Sequence, residues 1–314
     1  MEINNYKLAV IIVTYNRKEL LLQCINSILT QTIKPTTIYI IDNASTDGTK
    51  DFLIRNNILS NKIIDIQYYR MPENEGGAGG FYYGLKTAHE SNKYDAYVVM
   101  DDDGIADEKE LEELIKYSDQ YSYINALVVN KDDKTRTAFG RKNHGYNRES
   151  IEKEANENGI IFDYASPFNG TLYTKDLINK VGYPNPKLFF QGDEINFHKR
   201  ALKAGYIPIT NIKSIHYHPF KSIRRYEFNF ILKKIRLVIE DTPIRIYCRH
   251  RNIVYNRFNF KDYVYIFITY FLFSYLYLFK SKSYEKYKIF NQAVWDGLCK
   301  NLSKHKKYLN LNIH

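Results

Sequence analysis

The chain of 314 residues is 44% hydrophobic and 25% charged, long enough to bury a full core and too apolar to remain disordered. Its three cysteines, Cys24, Cys248 and Cys299, are odd in number and far apart with no CxxC pair, which argues against a disulfide framework or a cysteine zinc site and for a reducing compartment. The formal charge of +10 is uneven: residues 221–314 carry a surplus of 13 positive charges and residues 1–220 sum to −3, which argues against a uniformly basic nucleic-acid binder and places a domain boundary near Phe220.

The first apolar run, 8–13, is too short for a signal-peptide core and follows a single lysine, Lys7, so no export signal is expected. Runs 8–13, 37–41, 63–69 and 96–100 are β-branched and read as strands; 18–29, 49–56 and 81–90 recur at three and four and read as helices. This βαβ rhythm predicts an α/β fold with a mostly parallel sheet, whose ligands collect outside the carboxyl ends of the strands. Further on, 168–173 and 207–217 read as strands around a helix at 194–204 that Gly205 stops. Residues 131–158 are polar without periodicity and read as an exposed connection.

Four strand ends carry the chemistry. After the first comes Thr14-Tyr15-Asn16-Arg17, where a dinucleotide-binding or P-loop protein would show its glycine signature. The second ends in Asp42-Asn43-Ala44-Ser45; an Asp there can accept hydrogen bonds from a base or ribose, although Asp and Asn after a strand are more often turn residues. The third runs through Asn74 into Gly76, Gly77, Gly79 and Gly80, a loop that lets backbone approach a ligand ahead of a helix N-terminus suited to a diphosphate. The fourth ends in Asp101-Asp102-Asp103-Gly104, three carboxylates that repel one another without a cation. In an extended chain Asp101 and Asp103 share one side, an arrangement of oxygen ligands that suits Mg²⁺ or Mn²⁺. Later, Asp193 and Glu194 open a helix, where capping alone would explain them, and His216 and His218 share one side of the last strand.

Taken in order, TYNR, IDNAS, NEGGAGGF, MDDDG, GDEINFHKRALKAGY and the histidine after the last strand resemble family 2 glycosyltransferases over roughly residues 8–220. The glycine segment, the Asp triplet and GDE are most similar to bacterial galactofuranosyltransferases, then rhamnosyltransferases. The resemblance implies a GT-A nucleotide-diphospho-sugar transferase fold. It implies Thr14, Asn16, Arg17, Asp42 and Asn74 around the nucleotide, the Gly76 to Gly80 loop and Asp102 beside the nucleotide sugar, and Asp101, Asp103 and His216 on Mn²⁺ or Mg²⁺. Asp193 and Glu194 fall at the paired-acid position, the second acid being the base; the family's further acid two residues on is Asn196 here.

The expectation is an inverting, metal-dependent transferase that moves a sugar from a nucleotide-diphospho-sugar donor to a saccharide or lipid-linked saccharide acceptor in bacterial cell-surface polysaccharide synthesis. A nucleotidyltransferase is the rival enzyme, but its Gly-rich, basic start after the first strand is missing; a basic surface-binding protein is the rival without chemistry. Domains are expected at 1–220, catalytic, and 221–314, helical. The run 263–279 has 17 uncharged residues with five tyrosines, short for a spanning helix and suited to a membrane interface, a homo-oligomer contact or a cap on the catalytic domain. With the Lys and Arg excess this predicts a cytoplasmic protein peripheral at the inner face of the membrane, in contact with anionic lipid and not with nucleic acid.

Overall fold

The computed structural model describes residues 6–220, 224–230, 233–257, 260–309 and 311. They divide into two compact units, one of residues 1–186 and 197–221, the other of residues 187–196 and 222–314. The segment 187–196 thus belongs to the second unit, although residues of the first unit flank it on both sides in sequence.

The first unit opens β1 (Leu8–Thr14), α1 (Lys18–Leu29), β2 (Thr37–Asp42), α2 (Thr49–Arg55), β3 (Asp65–Arg70), α3 (Gly76–Glu90), β4 (Ala96–Asp101) and β5 (Ile105–Ala106). It continues with α4 (Glu110–Ile115), β6 (Tyr123–Asn130), β7 (Arg136–Arg141), β8 (Gly145–Asn147), α5 (Arg148–Glu152), β9 (Ile160–Phe162), β10 (Asn169–Thr174) and α6 (Lys175–Val181). After α7 (Asp193–Lys203), which starts in the second unit, comes β11 (Ile209–His218). The sheet order is β3-β2-β1-β4-β10-β6-β11-β5. The first four strands are parallel, β10 runs antiparallel to both β4 and β6, and β11 is parallel to β6, so the sheet is mixed. The C-terminal ends of β1, β2, β4 and β11 therefore open on one edge.

Burial on both faces explains the unbroken apolar run of β1. Leu8, Val10 and Ile12 enter one core with Leu21, Cys24, Ile25 and Ile28 of α1, while Ala9, Ile11 and Val13 enter the other with Phe81 and Leu85 of α3. The glycines before Phe81 are helix, not loop: α3 begins at Gly76. A Cβ on Gly80 would overlap Val13 Cγ1, and one on Gly84 would lie 2.5 Å from Ile11 Cγ2 and 2.9 Å from Ile41 Cγ1. Glycine is required there by close packing of α3 on β1 and β2, a tertiary demand that composition cannot reveal. The connection at 131–158 is likewise partly structured, through β7, β8 and α5; its short, polar strands carry no periodic signal.

The second unit holds an antiparallel hairpin, β12 (Arg225–Phe230) with β13 (Lys233–Val238), then α8 (Pro243–Tyr255), α9 (Phe260–Tyr275) and α10 (Tyr284–Leu298). The helices agree with the helical region expected here, and the hairpin is an addition to it. Tyr247, Phe273, Leu276, Tyr277, Phe290 and Ala293 form its core, and Phe189 of the segment 187–196 packs with them. At Gly297 a Cβ would sit 2.7 Å from the carbonyl oxygen of Arg251, so α10 approaches α8 to backbone distance.

Candidate active site

The Asp triplet is a tight turn, not an extended strand: Gly104 N–H donates to the Asp101 carbonyl at 3.3 Å. Asp102 is 2% exposed, and its carboxylate accepts from Thr14 Oγ1 at 2.7 Å and from Arg17 Nη1 at 2.9 Å. The same Nη1 lies 2.9 Å from Asp103 Oδ2, so Arg17 bridges two members of the triplet. Burial pushes the Asp102 carboxyl up to about 7, against the opposing pull of Arg17 and the Thr14 hydroxyl. Thr14, Arg17 and Asp102, expected on the nucleotide, are thereby engaged in holding the turn that carries Asp101 and Asp103.

The turn still brings Asp101 and Asp103 together. Their carboxylate oxygens and a ring nitrogen of His218 lie within 4.8 Å of one another. His218 Nε2 stands 3.2 Å from Asp103 Oδ1, and its Nδ1 is 2.8 Å from the Pro219 carbonyl, which fixes the ring. His216, expected as the third ligand, is not in this group. It is fully buried with Nδ1 3.1 Å from Glu110 Oε2, and its ring packs against Gly104 and Gly170, where a Cβ would collide with it. Burial raises the Glu110 carboxyl, and His216 opposes that rise. The two histidines share one strand face, so alternation could not choose between them; the partner Glu110, absent from the sequence expectations, decides which turns inward. Its only signal is an acid among apolar helix positions.

Along the same sheet edge the remaining residues tie loops together. Asp42 is 1% exposed, with Oδ1 accepting from Ser45 N–H at 2.8 Å and Oδ2 from the Tyr68 hydroxyl. Asn16 Oδ1 accepts from Thr46 N–H at 2.7 Å, and Asn16 N–H donates to Ser45 Oγ at 2.9 Å. Asn74 Oδ1 accepts from Asn43 Nδ2 at 3.0 Å and Gly76 N–H at 2.8 Å. Among the glycines, Gly77 faces open space; Gly76, Gly79 and Gly80 are buried in the first turns of α3.

Asp193 and Glu194 open α7 within the second unit. Asp193 is 5% exposed while Glu194 is half-buried, and Glu194 Oε2 accepts from Gly192 N–H at 2.9 Å. Two residues of α8 and the residue capping its C-terminus, all missed by the sequence expectations, hold this segment: Arg251 Nη2 donates to the Leu188 carbonyl at 2.8 Å, Asn252 Nδ2 to the Gln191 carbonyl at 2.8 Å, and Asn256 Nδ2 to the Gly192 carbonyl at 2.7 Å. The signal for the two asparagines is spacing: they stand four apart across Ile253, Val254 and Tyr255.

A mixed sheet with an Asp-x-Asp turn and a histidine at its carboxyl edge, followed by a helical region, is the GT-A glycosyltransferase fold. The chain belongs to glycosyl transferase family 2, whose family model matches residues 9–179. It is 31% identical over 249 residues to galactofuranosyltransferase GlfT1 of Mycobacterium tuberculosis, covering 77% of this chain and 79% of that one. It is 27% identical over 216 residues to GlfT1 of Mycolicibacterium smegmatis, covering 67% and 70%. Among solved structures it resembles S. aureus TarS 1-349 in complex with UDP, with a TM-score of 0.55, 15% identity and coverage of 96% and 90%. It also resembles the mannosyltransferase PcManGT from Pyrobaculum calidifontis in complex with GDP-Man and Mn²⁺, with a TM-score of 0.52, 16% identity and coverage of 94% and 76%.

Proposed function

We propose that this glycosyltransferase is an inverting, metal-dependent hexosyltransferase that takes galactofuranose from a UDP-sugar and passes it to a hydroxyl of a saccharide or lipid-linked saccharide acceptor in bacterial surface-polysaccharide assembly. The observation that carries the reading is the Asp101, Asp103 and His218 cluster at the sheet edge, supported by the likeness to galactofuranosyltransferases. Two carboxylates and one imidazole suit Mn²⁺ or Mg²⁺, the imidazole favouring Mn²⁺. A bound ion of this kind supplies charge compensation for the departing diphosphate.

Glu194, the more exposed of the acid pair, accepts the proton of the acceptor hydroxyl. The acceptor oxygen forms its bond to the anomeric carbon as the bond from that carbon to the diphosphate oxygen breaks, and the electron pair leaves with the nucleoside diphosphate. One displacement inverts the anomeric configuration. Thr14, Asn16, Arg17, Asp42, Asn74, Gly77 and Asp102 contribute the nucleotide-side framework, and dTDP-rhamnose is the second donor to test. A panel of nucleotide sugars, scored by nucleoside diphosphate release with and without Mn²⁺, tests the reading. Release from UDP-galactofuranose alone, lost on chelation, is the expected result; release from another donor or in excess chelator refutes the corresponding part.

The same reading places the protein at the inner face of the membrane. Among the described residues one helical stretch, Asp262–Lys280, is long and apolar enough to cross a bilayer by length and composition. One face of it is built into the second unit, through Phe273, Leu276 and Tyr277 and a Tyr270 hydroxyl bonded to Asn291 at 2.6 Å. The other face exposes Val264, Phe267, Ile268, Phe271, Tyr275 and Phe279; exposed Lys280 ends the stretch and exposed Lys282 follows it. A helix held on one side and apolar on the other lies in the interface instead of spanning it, and the surplus of 13 positive charges favours anionic lipid over a second copy carrying the same charge.

A further inference from the structure

The loop before the acid pair is built from residues in the left-handed region, Phe189 at φ 69°, Gln191 at φ 59° and Gly192 at φ 106°. Such a run is strained for the two side-chain-bearing residues and persists only where its surroundings over-determine it. The surroundings are α8. Asn252, fully buried, directs Nδ2 at the carbonyls of Leu188, Phe190 and Gln191 at 3.0, 3.0 and 2.8 Å, and Arg251 Nε fixes its Oδ1 at 2.9 Å. Two amide hydrogens thus serve three acceptors, which no aliphatic side chain could replace.

One of those carbonyls belongs to a peptide whose other end is functional. The Gln191 C=O and the Gly192 N–H are the two ends of one planar unit; the first is held by Asn252, and the second donates to Glu194 Oε2 at 2.9 Å. The orientation of that peptide plane is set by ψ of Gln191 and φ of Gly192, and because glycine at 192 has the widest φ freedom, the grip on the oxygen is what fixes it. Asn256, which caps the C-terminus of the same helix, brackets the acids, with Nδ2 on the Gly192 carbonyl at 2.7 Å and Oδ1 accepting from Asn196 Nδ2 at 2.9 Å.

We propose that Asn252 is a positioning residue for the general base: by holding the Gln191–Gly192 peptide it aims the Gly192 N–H at Glu194, which sets that carboxylate's orientation. The inference rests on the reading of Glu194 as base. Releasing the peptide removes the donor that holds Glu194 Oε2 in place, so the carboxylate loses its fixed rotamer. Arg249 on α8 also bears on Glu194 electrostatically, and it remains when Asn252 is changed.

The test uses the whole chain with Mn²⁺, UDP-galactofuranose and an octyl galactofuranoside acceptor, comparing wild type with Asn252→Ser. Two quantities are read: the Glu194 carboxyl ¹³C chemical shift at fixed pH, assigned with Glu194→Gln, and the split between kcat and donor KM. The expected result is a Glu194 carboxyl shift moved from its wild-type value, as loss of the Gly192 donor requires, with kcat lower by roughly 10- to 100-fold and donor KM unchanged. A purely structural role would lower Tm and leave the carboxyl shift and kcat in place, which overturns the proposal. A moved carboxyl shift with an unchanged kcat supports the hold on the carboxylate and instead removes Glu194 as base. Should Asn252→Ser fail to fold, Gln191→Gly loosens the same peptide at a position where glycine is at ease; it is expected to move the Glu194 carboxyl shift in the same direction by less, and an unmoved shift overturns the proposal.

Discussion

Nε2 of His218 lies 3.2 Å from Oδ1 of Asp103, two residues along the strand from a histidine that turns to Glu110 instead. That difference separates two variants. His218→Ala should raise the Mn²⁺ concentration needed for half-maximal turnover by about tenfold or more, as loss of a ligand contact does. His216→Ala should leave the Mn²⁺ titration in place and lower Tm, because Glu110 loses its buried partner. Asp103→Ala should abolish turnover; an identical Mn²⁺ titration for His218→Ala and wild type would remove His218 from the ion.

Replacing the base without changing its shape isolates its chemistry. Glu194→Gln should lower kcat by ~10²- to 10⁴-fold with donor binding unaltered, the usual worth of general-base help. Asp193→Asn is the comparison: were it the only one of the two to stop turnover, the proton would go to Asp193. Calorimetric donor titration alongside single-turnover rates provides the check.

Close packing of α3 on β1 predicts a coupling that residue type alone does not. Gly80→Ala gains about 1 kcal/mol of helix propensity but overlaps Val13 Cγ1, and overpacking costs about 1–3 kcal/mol, so the net change should be destabilising. Val13→Ala should then cost less in the Gly80→Ala background than in wild type. Urea denaturation of the four proteins measures the coupling, and strict additivity would show that the helix slides without resistance.

His250 should make the second unit acid-sensitive. Its ring is enclosed by Phe273 and Phe290, 4.3 and 4.7 Å between centroids, and burial pushes its pKa down to about 3. The unfolded chain therefore binds the proton that the folded one refuses, and stability present near neutrality is lost as pH falls through the ordinary histidine range. The loss amounts to ~2 kcal/mol at pH 5 relative to pH 8. His250→Gln should flatten the fall of Tm between pH 7 and 5, whereas parallel curves for the two proteins would count against the assignment.

Vesicle binding tests the exposed face of α9. Phe267 and Phe271 are 65% and 56% exposed, so Phe267→Ser with Phe271→Ser removes apolar area without entering the core. Co-sedimentation with vesicles containing phosphatidylglycerol should fall several-fold for the double variant, and wild-type binding should weaken with added salt. Salt-insensitive binding, or equal binding by the double variant, would place the contact elsewhere.

The sheet and the motifs at its edge were legible because the signals are local. An unbroken β-branched run such as that of β1 marks a doubly covered strand, and polar residues at its end mark the edge where ligands gather. What the sequence by itself determined is this: the α/β class, the place of the Asp triplet, the membership that its motifs share with family 2 glycosyltransferases, and the charge asymmetry about Phe220. The tertiary structure alone decided the rest. The glycines before Phe81 read from the sequence as a ligand loop, whereas α3 is pressed on Val13; His216 is expected on the metal, whereas it turns to Glu110 and His218 joins the two aspartates. The hold of Asn252 and Asn256 on the acid segment joins positions about 60 residues apart, for which no local pattern exists. Periodicity reports which face of an element is buried; which side chain meets which across the fold depends on long-range approach, and that is settled only when the elements pack.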